Sequence, residues 1–278
     1  MARILVIGNV NADEVVHVDA PPTPGAHLKG RPDGVRLGGG GANAAVALVQ
    51  AGYEVLPWAV VGDDETGARL IAACRAHGLD VSGLHVLSGH ATNRPLILID
   101  PNGERTLIAR KTIGAEAVRP PPADVAADGV LVKTFAPALA PVLAERARRG
   151  PVVAHAPPAS FDRWPATVWV TSESEDSAAT GTNPWHEARS RAGDALRWLV
   201  ITRGARGAEA LGPDGVKVRV PAEPVERVVD TTGAGDVFAA GLLHGLMAGS
   251  GIGDAMTIGA RWAARTIQAP GSIPPPRP

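Results

Sequence analysis

A single cysteine, Cys74, stands in a chain of 278 residues, so no disulfide can form within it and no cysteine-based zinc site is available. The eight histidines are scattered, none in His-x-x-x-His spacing, which removes the other common zinc signature. Excess charge of one sign is missing too: Lys and Arg number 27, Asp and Glu 28, for a net charge of -1 and a pI near 6.7. That balance gives no basic field for nucleic acid, and Arg146, Arg148 and Arg149 read as the solvated end of one helix. Long apolar runs are absent. Ile4 to Ile7 is too short for a signal peptide, and Val237 to Met247 falls short of a membrane span and contains His244. The expectation is a soluble, unexported, cytoplasmic chain in which Cys74 is a small buried filler. No Walker A signature occurs, and the Gly-rich runs lack dinucleotide-binding spacing, so the commonest competing nucleotide-binding readings fall away.

What is present suits a compact enzyme: 45% hydrophobic and 20% charged residues, at a length that fits one large α/β domain or two small ones. Strands are predicted near Arg3 to Ile7, Glu54 to Val61, Gly129 to Lys133, Pro151 to His155, Val168 to Thr171 and Trp198 to Thr202, with helical runs between them. This alternation argues a mostly parallel sheet with helices on both faces. Further strands are predicted at Val15 to Asp19 and Gly34 to Leu37, and a hairpin at Pro95 to Ala109 turns at Pro101-Asn102-Gly103. The segment Val61 to Gly67 reads as the start of a helix to His77, capped by Asp63 or Asp64.

The most informative stretch is Asp230 to His244, Asp-Thr-Thr-Gly-Ala-Gly-Asp-Val-Phe-Ala-Ala-Gly-Leu-Leu-His. A glycine turn opens an apolar helix with a carboxylate in its first turn. Backbone N–H groups of Gly233, Ala234 and Gly235 can close around a phosphate oxygen, and the glycines permit the approach. Asp236 is stabilised there as the anion and can accept the proton of a hydroxyl that attacks a bound phosphoryl group. The plainer reading is a helix capped by Asp230 or Thr232 and packed tightly at Gly235.

Leu37 to Gly52, Leu-Gly-Gly-Gly-Gly-Ala-Asn-Ala-Ala-Val-Ala-Leu-Val-Gln-Ala-Gly, sets four glycines before an Ala-rich helix. Glycines cost backbone entropy, so close approach of a ligand or a strand explains them better than local stability does. Asn43 is polar where the pattern is apolar, either an N-cap or a ligand contact. In Gly8-Asn9-Val10-Asn11-Ala12-Asp13, Asn11 and Asp13 lie two apart on an extended segment, so both can grip one polyol. An Asx turn would use the same residues. Leu199 to Gly207 is a buried strand entering a Gly-rich turn, a pattern that ordinary turns share.

Together these segments resemble the ribokinase-like (PfkB) carbohydrate kinases over nearly the whole chain, most specifically at residues 37 to 52 and 230 to 244. The resemblance implies a three-layer α/β sandwich, residues 1 to 278 forming one kinase domain with a small β lid inserted within about 13 to 37 and 92 to 110. It implies transfer of a phosphoryl group from ATP to a sugar hydroxyl, with Asp236 as base and Gly233, Ala234 and Gly235 as the anion hole. Asn11, Asp13, Gly39, Gly40 and Asn43 would bind the sugar, and Thr202, Arg203, Gly204 and Gly207 would border ATP. Mg²⁺ would be held through water near Glu175, and Asp230 and Thr232 would offer carbonyl oxygens to a monovalent cation, usually K⁺, with Gly271 and Ser272 resembling a segment near that ion. A homodimer through a lid edge is a plausible assembly.

Departures are equally informative. Ser172 stands where the family has Asn, Gly40 where ribokinases often carry Lys, and Phe135 where they tend to have a sugar-binding Glu. An apolar ring cannot accept a hydroxyl proton, which weakens the case for ribose itself. Two alternatives stand beside the sugar kinase: a nucleoside kinase in which Phe135 or a lid aromatic stacks on a base, and a sugar- or nucleotide-binding relative without turnover. The particular sugar and the phosphorylated carbon are not fixed by these residues.

Overall fold

The computed structural model describes residues 1–110, 112–157, 163–173 and 183–276. Among them the strands are β1 (Arg3–Ile7), β2 (Asn11–Val18), β3 (Gly30–Gly38), β4 (Glu54–Gly62), β5 (Leu84–Leu87), β6 (Leu96–Ile99), β7 (Arg105–Ile108), β8 (Gly129–Val132), β9 (Val152–His155), β10 (Val168–Ser172), β11 (Trp198–Thr202), β12 (Ala208–Leu211) and β13 (Lys217–Val220). The α-helices are α1 (Gly40–Val49), α2 (Glu65–Ala76), α3 (Ala140–Arg149), α4 (Pro184–Ala192), α5 (Ala234–Met247) and α6 (Ile252–Thr266).

Runs such as Ile4-Leu5-Val6-Ile7 are apolar without alternation because both faces of their sheet are covered. Ile4 and Val6 enter one core with residues of α1, α2, α5 and α6, while Leu5 and Ile7 enter a second core with α3 and α4. The same two-residue alternation divides Leu131, Val153, Val168 and Val170 from Val130, Val132, Val152 and Trp169. The sheet runs β13-β12-β11-β10-β9-β8-β1-β4-β5. It is parallel from β11 to β5 and antiparallel only at β11-β12-β13, so the expected three-layer α/β architecture is present.

A separate sheet, β3-β2-β6-β7, holds the remaining strands. β2 pairs in parallel with β6 and antiparallel with β3, and the β6–β7 hairpin closes at the expected Asn-Gly, with Gly103 at φ 80°. Helix α2 starts as expected, with Asp64 Oδ1 accepting from Gly67 N at 2.8 Å. Cys74 is fully buried, and burial lifts its thiol to about 11, out of nucleophilic range near neutrality. No helix of the described residues is long and apolar enough to cross a membrane.

Candidate active site

The C-terminal ends of parallel strands leave charged residues at one rim of the sheet, where the adjoining helices begin. β8 ends at Val132 and delivers Lys133, whose backbone N–H donates to Ile7 O at 2.8 Å. β9 ends on His155, 5% exposed, and is followed by Ala156 at φ 51°, a left-handed backbone next to the site. Helix α5 opens from Gly233 at φ 79°, which places Asp236 in its first turn. A Cβ on Gly233 would lie 2.6 Å from Ser272 O, so glycine is needed there for both conformation and space.

Asp236 is buried and surrounded by donors. Asn43 Nδ2 donates to Oδ2 at 2.9 Å, His155 Nδ1 lies 3.1 Å from Oδ1, and Lys133 Nζ lies 3.6 Å from the same oxygen. Burial alone would raise the carboxyl, but Lys133, His155 and Asn43 outweigh it and hold Asp236 below the usual carboxylate range. The result is a buried carboxylate kept ionised beside a glycine-lined helix N-terminus, an arrangement that can receive a hydroxyl proton next to bound phosphate.

The four glycines of this run, of which Gly40 and Gly41 open α1, have separate physical reasons. Gly39 adopts φ 89° and caps the helix. Gly41 packs on Gly8, where a Cβ would come within 2.6 Å of the Gly8 carbonyl carbon. Gly38 makes room for Asp13, and Gly40 for Asp236 and Lys133: a Cβ on Gly40 would lie 2.8 Å from Asp236 Oδ1 and 2.8 Å from Lys133 Cγ. Asn43 is not an N-cap, since its side chain reaches across to Asp236.

Asp13 is buried on β2, and its carboxyl is pushed up to about 7, first by burial and then by Asp236, against the Gly39 N–H and Arg105. Asn11 lines a small polar cleft with Asn9 and Asn93. The Gly-rich turn after β11 is occupied by its own contacts. Arg203 is 2.8 Å from the buried Glu209 and 3.4 Å from Glu173, and a Cβ on Gly207, at φ 85°, would run into Val220 O. Gly204 also has positive φ, 56°, and Thr202 donates to Thr171 O at 3.2 Å. Glu175 lies outside the described residues, and among the described ones no group of three or more His, Cys, Asp or Glu is placed to hold a metal ion.

One expectation is corrected. Phe135 is only 8% exposed, packed in the core with its ring centroid 4.5 Å from that of Trp164, so it is not free to stack on a nucleobase. The lid strands contain no Phe, Trp or Tyr to replace it. Conversely, Lys133 and His155 had no role in the sequence reading. Their available signal was a polar residue at the C-terminal end of a short, fully apolar strand.

The model of the pfkB family carbohydrate kinases matches residues 1–278. A ribokinase of Schizosaccharomyces pombe is 26% identical over 299 residues, covering 98% of this chain and 94% of that protein. An ATP-dependent ribose-1-phosphate kinase of Halopiger xanaduensis is 29% identical over 256 residues, 87% of this chain and 84% of that one. The structure of a Burkholderia thailandensis nucleoside kinase in complex with inosine superposes with a TM-score of 0.76 at 21% identity, covering 97% of this chain and 92% of the other.

Proposed function

Because the chain belongs to the pfkB family of carbohydrate kinases, and so is a kinase of sugar or nucleoside substrates, we propose that it moves the γ-phosphoryl group of ATP to a sugar-type hydroxyl with Asp236 as general base. The observation that carries this assignment is the buried, ionised Asp236 in the first turn of α5, directly after Gly233, Ala234 and Gly235. The acceptor O–H breaks as its proton passes to Asp236, the acceptor oxygen bonds to the γ-phosphorus, and the bond from that phosphorus to the β-γ bridging oxygen breaks to release ADP. Backbone N–H groups of Gly233 and Gly235 face the charge on the transferring group, while the Ala234 N–H donates to Thr231 O at 3.3 Å.

Asn43 Oδ1 is a buried acceptor without a hydrogen-bond partner among the described residues, which suits a substrate hydroxyl. Asp13 supplies a second acceptor when ionised, and Asn11 is assigned to the same polyol from its place on β2. Gly39 and Gly40 contribute space and backbone rather than side-chain contacts. Thr202, Arg203, Gly204 and Gly207 are proposed to border the nucleotide through their turn, with Arg203 held by Glu209 and Glu173. Mg²⁺, when bound, offsets charge on the nucleotide phosphates; Glu175 is the residue proposed to hold it through water. We assign a monovalent cation to the loop of Asp230 and Thr232. Asp230 Oδ1 accepts from Thr232 N at 2.8 Å and Oδ2 from Gly271 N at 3.0 Å, which ties together the two segments concerned. Thr232 Oγ1 is buried without a hydrogen-bond partner among the described residues, a fit for a cation.

The lid sheet and main sheet are read as one kinase domain, acting in the cytoplasm. Edge strand β7 exposes Leu107 and Ile108, 48% and 46% accessible, a surface suited to a homodimer through the lid; sedimentation as a monomer at micromolar concentration removes that assembly.

The test is ADP release from MgATP across sugars, sugar acids, sugar phosphates and nucleosides, with Asp236→Asn as control. Turnover of one class, reduced about 100-fold or more in the control, supports the assignment and names the substrate class. Ligand binding without turnover across the panel supports a non-catalytic relative instead.

A further inference from the structure

We propose that Lys133 is a positioning residue for Asp236, its side chain occupying the space above Gly40 and its ammonium aiming the carboxylate. The proposal rests on the kinase reading and adds a residue to it.

The geometry is specific to three positions. Lys133 Cγ and Cε lie 2.8 and 3.0 Å from where a Cβ on Gly40 would stand, and Asp236 Oδ1 lies 2.8 Å from the same point. A side chain at position 40 and the lysine stem therefore exclude one another. The Lys133 backbone is pinned at the end of β8 by its bond to Ile7 O, and Thr134 is fixed by Oγ1 donating to Asn9 Oδ1 at 2.7 Å. The stem thus leaves a rigid strand end and finishes with Nζ 3.6 Å from Asp236 Oδ1, its side chain 23% exposed.

Five polar or charged groups converge on this spot from different elements: Asn43 of α1, Asp13 of β2, Lys133 after β8, His155 of β9 and Asp236 itself. Asp13 and Asp236 repel, Arg105 acts on Asp13, and Lys133 brings the ammonium that stands beside Asp236. Before transfer it offsets the carboxylate, which would otherwise repel the nucleotide phosphates. When the acceptor proton reaches Asp236 the carboxyl becomes neutral, and the ammonium is left uncompensated where negative charge is moving. A merely structural lysine would have no reason to track the protonation state of Asp236.

The measurement is the pH dependence of kcat for the wild type, Lys133→Met, Lys133→Arg and Lys133→Ala, the last with and without ethylammonium. Expected are a drop in kcat of about 10- to 100-fold in Lys133→Met with KM for ATP within about threefold, an acid limb displaced to higher pH, and partial recovery in Lys133→Arg and in Lys133→Ala with the added amine. A Lys133→Met kcat within about threefold of wild type, or a folded variant whose lost activity no amine restores and whose acid limb does not move, overturns the proposal. A wild type that turns over no acceptor would instead defeat the kinase reading. The proposal is then decided by a double-mutant cycle of Lys133→Met and Asp236→Asn in urea unfolding, where additive effects overturn it and coupling upholds it.

Discussion

Asn43 and Asp236, 193 positions apart in sequence, form a buried hydrogen bond of 2.9 Å in which the amide donates to the carboxylate. The bond joins the two glycine-rich motifs and leaves the amide oxygen buried without a hydrogen-bond partner among the described residues. Asn43→Ala removes a donor to an ionised group, an interaction worth about 1.5 to 3 kcal/mol. Its kcat should fall by about 10- to 100-fold. Asn43→Asp should be worse, because two carboxylates at that distance cannot both be ionised without strain. Steady-state kinetics on both variants checks the order, and an Asn43→Asp enzyme faster than Asn43→Ala contradicts it.

Gly233 and Gly235 should separate stability from activity. Gly233 combines φ 79° with a Cβ position 2.6 Å from Ser272 O, so Gly233→Ala should cost on the order of 2 kcal/mol of stability or more. Gly235 has ordinary helical backbone, and its Cβ would stand 3.1 Å from His155 Nε2. Gly235→Ala should fold with a change under about 1 kcal/mol, yet lose activity at least tenfold through the crowded His155 and anion turn. Urea unfolding beside kcat distinguishes the two; equal stability losses would show that the Gly235 site cannot relax as supposed.

Much of this was legible because the signals were local. β1 and β11 fall on the residues read as strands, since four consecutive apolar side chains after an arginine leave little alternative. β5, β12 and β13 were not anticipated. Leu84–Leu87 and Ala208–Leu211 are four-residue segments with Glu209 or His85 among them, and their strand character comes from pairing with β4 and β11. The glycines were read correctly as sites of close approach, but sequence could not say what approaches. Gly41 meets backbone, whereas Gly38 and Gly40 meet the side chains of Asp13, Asp236 and Lys133. Lys133, His155 and Asp236 come together only through the sheet order β9-β8-β1 and the packing of α5, information that no short segment carries. Phe135 misled because an aromatic in a motif position looks available, while the Trp164 ring that buries it is 29 residues away (164 minus 135).

Monovalent-cation dependence follows from the Asp230 loop. Asp230 is 4% and Thr232 6% exposed, so a buried oxygen-rich loop preceding the anion turn should be ordered by a desolvated cation. Turnover in KCl should exceed that in tetramethylammonium chloride at equal ionic strength by about fivefold or more, the scale of a typical coupling free energy. Thr232→Val, which removes the unpartnered hydroxyl, should weaken the response. Equal turnover in the two salts removes the cation from the mechanism.

Asp13 makes a prediction whose sign is set by its environment. Its carboxyl is raised from 3.8 to about 7, chiefly by burial and then by Asp236. Between those values the folded protein keeps a proton that the unfolded chain has released. The contribution of this group to stability is therefore greatest below about pH 4, declines as pH rises toward 7, and levels off above. Asp236 has the opposite sign and acts in a different window. Its stabilising effect is present above the ordinary carboxylate range and is lost only in acid. Asp13→Asn should accordingly be more stable than the wild type at pH 8, by on the order of 2 kcal/mol, with the difference shrinking toward pH 5. The same ionisation has a functional face, because only the carboxylate offers acceptors alone to substrate hydroxyls. KM for the acceptor should fall in the wild type as pH rises through about 7 and stay flat in Asp13→Asn, at a higher value. Urea unfolding at the two pH values, together with acceptor KM across the same range, tests both halves, and an Asp13→Asn protein no more stable than wild type at pH 8 would show that the ionised Asp13 is compensated in the fold.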